Sequence, residues 1–578
     1  MTETRTCKNC QQNFTIEPED FAFYEKMKVP APTWCPACRM ARRMMVRNER
    51  VLYSRNCQGE GHNEKLISTY SPEKPVVVYD QKLWWSDSWE PTSYGKEYDF
   101  GRPFFEQFKE LWQTVPLVAL SNSNAINSDY CNVADQSKDS YLVSGSFKIE
   151  KVMYSNRVYN TKDSLDMYVS FRNELCYECV HCSDCYRVRY SYGSESCRDS
   201  YFLYDCRNCS DCFGCTNLRN KQYCIYNEQY TKDEYFAKIK SLNLDSRASI
   251  EGQLAIFEEI RLGAIHKYAH ISKSVNSTGD NIDNAKNCVE CFDMTEGTED
   301  CKYMHWGGIN TKDAYDGGPG IGDRAELMYE AVDTGIQGSN IAFTYVVYGS
   351  HNIRYALFCH GSHDLFGCIG LRSKEYCILN KQYSPEEYKD IVPKIIEQMN
   401  ALPYTDSKGR VYGYGEFFPP EIMPFNYNET IAQDYIPLTK DKALEYGYGW
   451  QEREERHHSI SLRVSEIPDS ITDIGDAVLD EIIECEHLSK CTDGCTTAFK
   501  IIPAELEFYR NLRLPIPKLC FACRHMARVR QKPPLKLWHR KCMKSSPAGE
   551  CANEFETSYA PDRPEIVYCE SCYQQEVV

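Results

Sequence analysis

Twelve cysteines near the two ends of the chain fall into three sets with the spacing of zinc ligands, and two of the sets are copies of one another. Cys7-x2-Cys10 is followed by Cys35-x2-Cys38, and Cys491-x3-Cys495 by Cys520-x2-Cys523, with 24 residues between the inner cysteines in each. Cys542-x8-Cys551 followed by Cys569-x2-Cys572 makes the third set. Four thiolates reach a tetrahedral metal most simply as two close pairs carried by two turns, which is what this spacing encodes. Modules of roughly 40 residues bury too little apolar surface to fold unaided. Structural zinc adds on the order of 10–16 kcal/mol of apparent folding energy in such modules. Three zinc ions are therefore the expected cofactors.

The first two sets sit in one duplicated sequence. Cys10-QQN-Phe14-TIEPEDFAF-Tyr24 matches Cys495-TTA-Phe499-KIIPAELEF-Tyr509, and each continues through a proline-bearing turn into Cys35-PAC-Arg39 or Cys520-FAC-Arg524. A short helix is predicted between the pairs, over Glu17–Lys26 and Pro503–Asn511, with aromatic residues spaced to cover the metal. Residues 7–43 and 491–528 resemble a family of zinc-ribbon, treble-clef-like domains with the pattern C-x2-C, F, FY, C-x2-C-R. The second copy departs from it by its x3 spacing and by Cys485 just upstream, which leaves the ligand choice among Cys485, Cys491 and Cys495 open.

Each module is followed by a ribbon. STYSPEKPVVVY at residues 68–79 repeats TSYAPDRPEIVY at 557–568, but Asp80 and Leu83 stand where the third set has Cys569 and Cys572. Only Cys57 and His62 remain there, so this copy is expected to hold no metal and to be filled by Trp84, Trp85 and Trp89.

The middle of the chain is repetitive. From Asn122 to Asn227 a small or polar pair precedes an aromatic or β-branched residue about every dozen positions, as short strands between turns would require. Residues 210–235 align without a gap to 363–388. The expected fold is multidomain and mainly β: a duplicated parallel β-helix or solenoid, each coil two strands or a little more, with an inward ladder of Cys, Tyr, Val, Ile and Leu. Capping helices are predicted at 231–242 and 384–400, opened by Thr231 and Ser384, and a connecting helix over Ser249–Tyr268. The expected units are a zinc module (1–56), a degenerate ribbon plus helix (57–120), block 1 (121–245), the connecting helix (246–272), block 2 (273–402), a Pro- and Tyr-rich subdomain (403–484) with helices at Lys440–Tyr446 and 470–484, the second zinc module (485–541) and the third ribbon (542–578).

Cys176, Cys179, Cys182 and Cys185, then Cys206, Cys209, Cys212 and Cys215, repeat at x2 spacing and resemble a ferredoxin cysteine run without its proline. In the internal repeat Cys209 becomes Ser362 and Cys212 becomes Leu365, so these positions are expected to pack inward rather than hold an iron–sulfur cluster. Gly317-GPGIG-Asp323 lacks the Lys-Ser/Thr of a P-loop, and Cys359, His360 and His363 cluster near one turn; a plain loop and exposed side chains are expected.

The net charge of −17 argues against a general polyanion binder. Two basic strips beside the zinc modules dissent: Arg39, Arg42, Arg43, Arg47, Arg50 and Arg55, and Arg524, Arg528, Arg530, Lys532, Lys536, Arg540 and Lys541, with Tyr53 and Trp538 nearby for stacking. They suit backbone contact to RNA, DNA or a ribonucleoprotein, or else balance an acidic neighbour in the same chain. Nothing pairs a nucleophile with a base, so catalytic residues are unknown and a non-enzymatic zinc-dependent scaffold is expected, with protein as an alternative partner. An enzyme on a β-helix is the rival, with Asp199, Asp211 and Asp364 as candidates. No apolar run long enough to cross a bilayer occurs, and 31 cysteines suit a reducing compartment, so a cytoplasmic location with no membrane partner is expected. The order of modules resembles multi-zinc-ribbon proteins of candidate-phyla bacteria, which implies architecture and no activity.

Overall fold

Residues in the middle of the chain pair with residues about one dozen positions ahead of them. In the computed structural model, which describes residues 2–294, 296–452, 458–547 and 549–578, Asn132 pairs with Ser144, Ser144 with Asn156, Asn156 with Tyr168 and Tyr168 with Val180, all parallel. Bridges such as Tyr192 to Tyr204 and Tyr204 to Thr216 continue that register. A second ladder runs Glu299, Lys312, Glu326, Ser339, His351, His363, in steps of 12 to 14 residues. Each pass is therefore one dozen residues, about half the expected coil.

The short pass follows from a left-handed residue at every third position. Glu178, His181, Asp184, Arg187 and Tyr190 all have φ between 51° and 56°. Non-glycine residues adopt this region at a cost of roughly 1 kcal/mol or more each. Cross-pass hydrogen bonds offset it, for example Asp184 N–H to the Phe171 carbonyl and Arg187 N–H to that of Glu174, both 3.0 Å. The residue after each left-handed one is buried: Cys179, Cys182, Cys185 and Val188. One side chain in three thus faces inward, and the Cys-x2-Cys spacing is the period of the backbone.

Small side chains with a hydrogen-bonding tip suit this interior. The thiols of Cys176, Cys179, Cys182 and Cys185 donate to the carbonyls of Glu174, Tyr177, Val180 and Ser183 at 3.3–3.5 Å. Ser191 does the same to Arg189 at 2.9 Å and accepts the Leu203 N–H at 3.0 Å. Burial pushes the thiols of Cys131 and Cys359 up to about 12, which keeps them protonated as donors.

The glycine-rich segment is sealed under the N-terminal module. Gly318 has φ +93°, and a Cβ there would lie 1.8 Å from the His305 carbonyl oxygen, so only glycine fits. The Pro319 carbonyl accepts from Arg47 at 3.1 Å.

Thr231 and Ser384 open helices Lys232–Ser241 and Pro385–Ala401 with capping boxes to Glu234 and Glu387. The connecting helix is Arg247–Gly263; it stops short of Tyr268 because Ile265–Lys267 pairs with Ile566–Tyr568 of the third ribbon. Lys440–Glu445 is helical, whereas 470–484 forms the 3-10 turns Ile471–Asp473 and Asp476–Leu479 and ends in the short strand Ile483–Glu484. Residues 453–457 of the expected 403–484 subdomain lie outside the described residues. No helix among the described residues is long and apolar enough to cross a membrane.

Cys179→Ser keeps a small donor at an inward position and is expected to cost less than about 1 kcal/mol, while Cys179→Leu overpacks it by roughly 1–3 kcal/mol. Urea unfolding of the two variants checks the difference; equal losses would contradict the inward assignment.

Candidate metal centres and the charged junctions beside them

Three groups of four thiols bring their sulfurs within 4.8 Å of one another: Cys7, Cys10, Cys35, Cys38; Cys485, Cys495, Cys520, Cys523; and Cys542, Cys551, Cys569, Cys572. Each is built the same way. The first two cysteines flank the turn of a β-hairpin, Glu3–Thr6 with Asn13–Ile16, Ile483–Glu484 with Ala498–Phe499, and Trp538–Lys541 with Glu554–Thr557. The third cysteine is the N-cap of a helix: Pro36–Met44, Phe521–Gln531 or Glu570–Val577. Its N–H donates to the sulfur of the first cysteine at 3.2–3.3 Å in all three. Helix N-termini and such amides favour thiolates. Hydrogen bonds from neighbouring thiols, Cys35 first and Cys485 first, pull Cys7 and Cys520 well below the ordinary thiol range. At Cys569 burial pushes the other way, yet Asn553 and Ser571 bring the thiol down to about 6. These donor sets can hold metal ions and are compatible with zinc.

Cys491, expected as a ligand of the second set, is replaced in the tetrad by Cys485. The backbone gives the reason. Cys485 N–H donates to Thr497 and Cys7 N–H to Gln12, both at 2.8 Å, so Cys485 is the counterpart of Cys7, separated from Cys495 by an insertion. The x8 gap of Cys542 and Cys551 was the available signal, since it already tolerates a long hairpin turn.

The degenerate ribbon keeps the wiring without the thiols. Cys57 accepts the Asp80 N–H at 3.3 Å, and the Asp80 carboxylate caps helix Gln81–Trp85 by accepting from Lys82 and Leu83 N–H. Trp84 is buried and Trp89 packs against the core, but Trp85 is 44% exposed. The donor atoms of Cys57, His62 and Glu64 also converge, with His62 and Glu64 exposed.

Most arginines of the two basic strips point inward, whereas the Lys541 side chain is 77% exposed and pairs with Glu554. Arg39 and Arg43 share the Asp316 carboxylate at 2.8 and 2.9 Å, Arg42 pairs with Glu330 and with Glu416, and Arg47 with Glu49 and Asp333. At the other end Arg524 and Arg528 share Asp166 at 2.7 and 2.8 Å, Arg528 reaches Glu178, and Lys532 pairs with Asp293. Apart from Lys541, all of these basic residues are buried. Arg50 is mostly covered and holds Asp434; Arg530 is half exposed and holds Asp493. Tyr53 donates to Glu429, and Lys536 lies over the Trp538 ring. The expected nucleic-acid role of Arg39, Arg42, Arg43, Arg47, Arg524, Arg528 and Lys532 is thereby corrected: their charge is matched by acids of the same chain, and no phosphate can reach them.

The two junctions are copies. Stepping back through the ladders from the aligned residues Ser210 and His363 leads to Lys162 in the first and Lys312 in the second. Asp166 and Asp316 follow these lysines at the same offset, and Tyr154 with Glu178 and Tyr303 with Glu330 hold equivalent places one pass to either side. Arg528 donates to the Tyr154 carbonyl and Arg43 to that of Tyr303, while Arg524 and Arg39 stack over those same rings. The docking is crossed, with the N-terminal module on the second ladder and the C-terminal module on the first.

Other expected candidates are structural. Cys359 faces inward and donates to Leu357, so it does not meet His360, which is half-buried, or His363, which pairs with Asp364 and Glu375. Asp199, Asp211 and Asp364 occupy left-handed positions, where aspartate is favoured, and they interact with Arg187, Gln222 and Asn352.

No family model matches the chain, and no curated relative matches it. Among solved structures, a Desulfovibrio desulfuricans G20 protein provisionally named as an acetyltransferase is 11% identical over 52% of this chain and 76% of its own, with a TM-score of 0.10. A superposition that poor carries no argument about this protein.

Removing one junction carboxylate takes the shared anion from two buried guanidinium groups, leaving Arg524 and Arg528 only their longer contacts to Glu505 and Glu178. Asp166→Asn and Asp316→Asn are each expected to destabilise by about 3–5 kcal/mol, measured by urea unfolding; a loss below about 1 kcal/mol would show the pairs to be dispensable. The pH dependence has a definite sign. Burial works to raise Glu49, but Arg47 and Arg157 outweigh it and hold the carboxyl at about 2, below its ordinary 4.5. A depressed carboxylate contributes stability above pH 4.5 that is lost as pH falls through 2. Glu49→Gln should therefore remove part of the acid loss below pH 4.5 and lower stability near neutrality, as a urea midpoint series from pH 7 to 3 would report.

Proposed function

We propose that this protein is a zinc-dependent, non-enzymatic scaffold whose metal modules clamp a stiff repetitive body and leave its outer faces free for a partner. The observation that carries the reading is the double role of helices Pro36–Met44 and Phe521–Gln531. Each begins at a metal-set cysteine, and each sends its arginines into a carboxylate of a ladder. Metal binding at such closed, four-thiol sites is structural chemistry, because no position is left for a substrate.

The ladders are read as two blocks of a parallel β-helix. Left-handed residues recur at every third position, and bridges one pass apart recur at Tyr192, Glu195, Arg198 and Tyr201, which supports a four-sided coil of twelve residues. The terminal modules are read as zinc ribbons of treble-clef type, on their hairpin-then-helix arrangement. With 31 cysteines and no disulfide among them, the chain suits a reducing cytoplasm.

The partner is a protein rather than nucleic acid. Seven of the basic residues, Arg39, Arg42, Arg43, Arg47, Arg524, Arg528 and Lys532, are buried against acids of the same chain, and the net charge of −17 then acts against phosphate. The first ladder offers a cleft of about 870 Å³ lined by Arg172, Glu174, Asp184, Tyr186, Arg198 and Asn208, with charges of both signs on one rigid wall.

Chelation tests the clamp. Purified protein should contain at least three metal ions, and stripping them should expose the terminal modules to protease while the ladders stay protected. Protein that arrives metal-free with protected ends would overturn the reading.

A further inference from the structure

The C-terminal module differs from its N-terminal copy by the insertion between Cys485 and Cys495, and the insertion carries His487, Cys491 and Asp493. Their donor atoms, together with Cys523 Sγ, lie within 4.8 Å of one another, forming a second donor set that shares one sulfur with the four-thiol group. We infer that this module holds a thiolate-bridged pair of divalent metal ions, with Cys523 as the bridge. The inference rests on the metal reading of the four-thiol group and goes beyond it by one ion.

The comparison with the N-terminal copy carries the argument. There Asn9 lies between Cys7 and Cys10, and its amide donates at 3.3 Å to Cys38 Sγ, the counterpart of Cys523. In the second module the insertion instead places Cys491 Sγ 3.7 Å from Cys523 Sγ, while Cys485 and Cys520 stand 4.0 and 3.6 Å from that sulfur. Sulfur-to-sulfur separations of this size fit two thiolates on one tetrahedral ion, on either side of Cys523.

The remaining donors are poised. His487 Nδ1 is buried without a hydrogen-bond partner and lies 3.7 Å from an Asp493 oxygen. A buried ring nitrogen with no partner costs free energy, and a cation between it and the carboxylate relieves that cost. Asp493 is buried, and Arg530 grips its two oxygens at 2.6 and 3.1 Å, leaving other lone pairs to face inward. Ligating carboxylates are commonly oriented by such an outer partner. One nitrogen, two sulfurs and one oxygen make a set that zinc or cadmium accepts. Cys491 is only partly buried, so this ion sits at the surface and the four-thiol ion beneath it.

Metal counting on the full chain, loaded with zinc or ¹¹³Cd, tests the pair. Wild type should hold four ions, Cys491→Ser and His487→Ala three each, and ¹¹³Cd spectra of wild type should show two mutually coupled resonances that become one uncoupled line in both variants. Far-UV circular dichroism matching wild type confirms that each variant is folded. Three ions in wild type, with or without loss in Cys491→Ser, would overturn the bridged pair while leaving the four-thiol sites standing. A metal-free chain would overturn both.

Discussion

Two buried aspartates, Asp166 and Asp316, hold the molecule together. Each accepts two guanidinium groups from a helix that begins at a cysteine of a four-thiol group, and each belongs to a ladder more than 250 residues away from that helix in sequence, Asp316 within a strand and Asp166 just after one. Desolvating three charged groups is expensive, and it becomes tolerable only when the geometry is fixed and the remaining protons are satisfied. The first condition is met and the second only in part, since Nε of Arg43, Arg524 and Arg528 is buried without a hydrogen-bond partner. A cysteine of each four-thiol group caps the helix and fixes its start, and other N–H groups of Arg39, Arg43 and Arg528 reach main-chain carbonyls of Trp34, Tyr303 and Tyr154, with aromatic rings beneath the Arg39 and Arg524 guanidinium planes.

The crossed docking gives the chain its closure. Because the N-terminal module sits on the second ladder and the C-terminal module on the first, neither block can separate without breaking a buried pair. Between the ladders Arg157 extends the same logic: it stacks on Trp306 of the second ladder and on Tyr435, and it shares Glu49 with Arg47 of the N-terminal module. The abundance of cysteine serves two separate ends. At the termini, thiols converge in fours around turns and helix starts. In the ladders the same residue type is chosen because it is small and donates weakly to a carbonyl, which a twelve-residue pass with four inward side chains can accommodate.

Much of this was legible. The duplicated module, its helices and their proline-bearing exits follow from spacing and capping chemistry, and the capping boxes at Thr231 and Ser384 fall where Ser/Thr-x-x-Glu places them. The dozen-residue rhythm was visible, but the pass length was not. A repeat of one turn and a repeat of half a coil look alike in sequence, and only the register of Asn132, Ser144 and Asn156 separates them. Spacing left the choice between Cys485 and Cys491 open, because a local pair, Cys491 with Cys495, imitates a knuckle; the hairpin bond to Thr497 decides the matter through space.

The sequence by itself determined the local facts: which segments gather thiols that could hold a metal, where helices start, and that one unit was used twice. Those depend on neighbours a few residues apart, whose interactions are set by chain geometry. The fate of the arginines was decided only by the tertiary structure. A run such as Arg39, Arg42, Arg43 and Arg47 reads as an open cationic face until its counter-ions are found, and Asp316, Glu330 and Asp333 lie nearly 300 residues further on. Whether a charge meets water or a buried partner depends on long-range packing, which residue spacing along the chain does not encode.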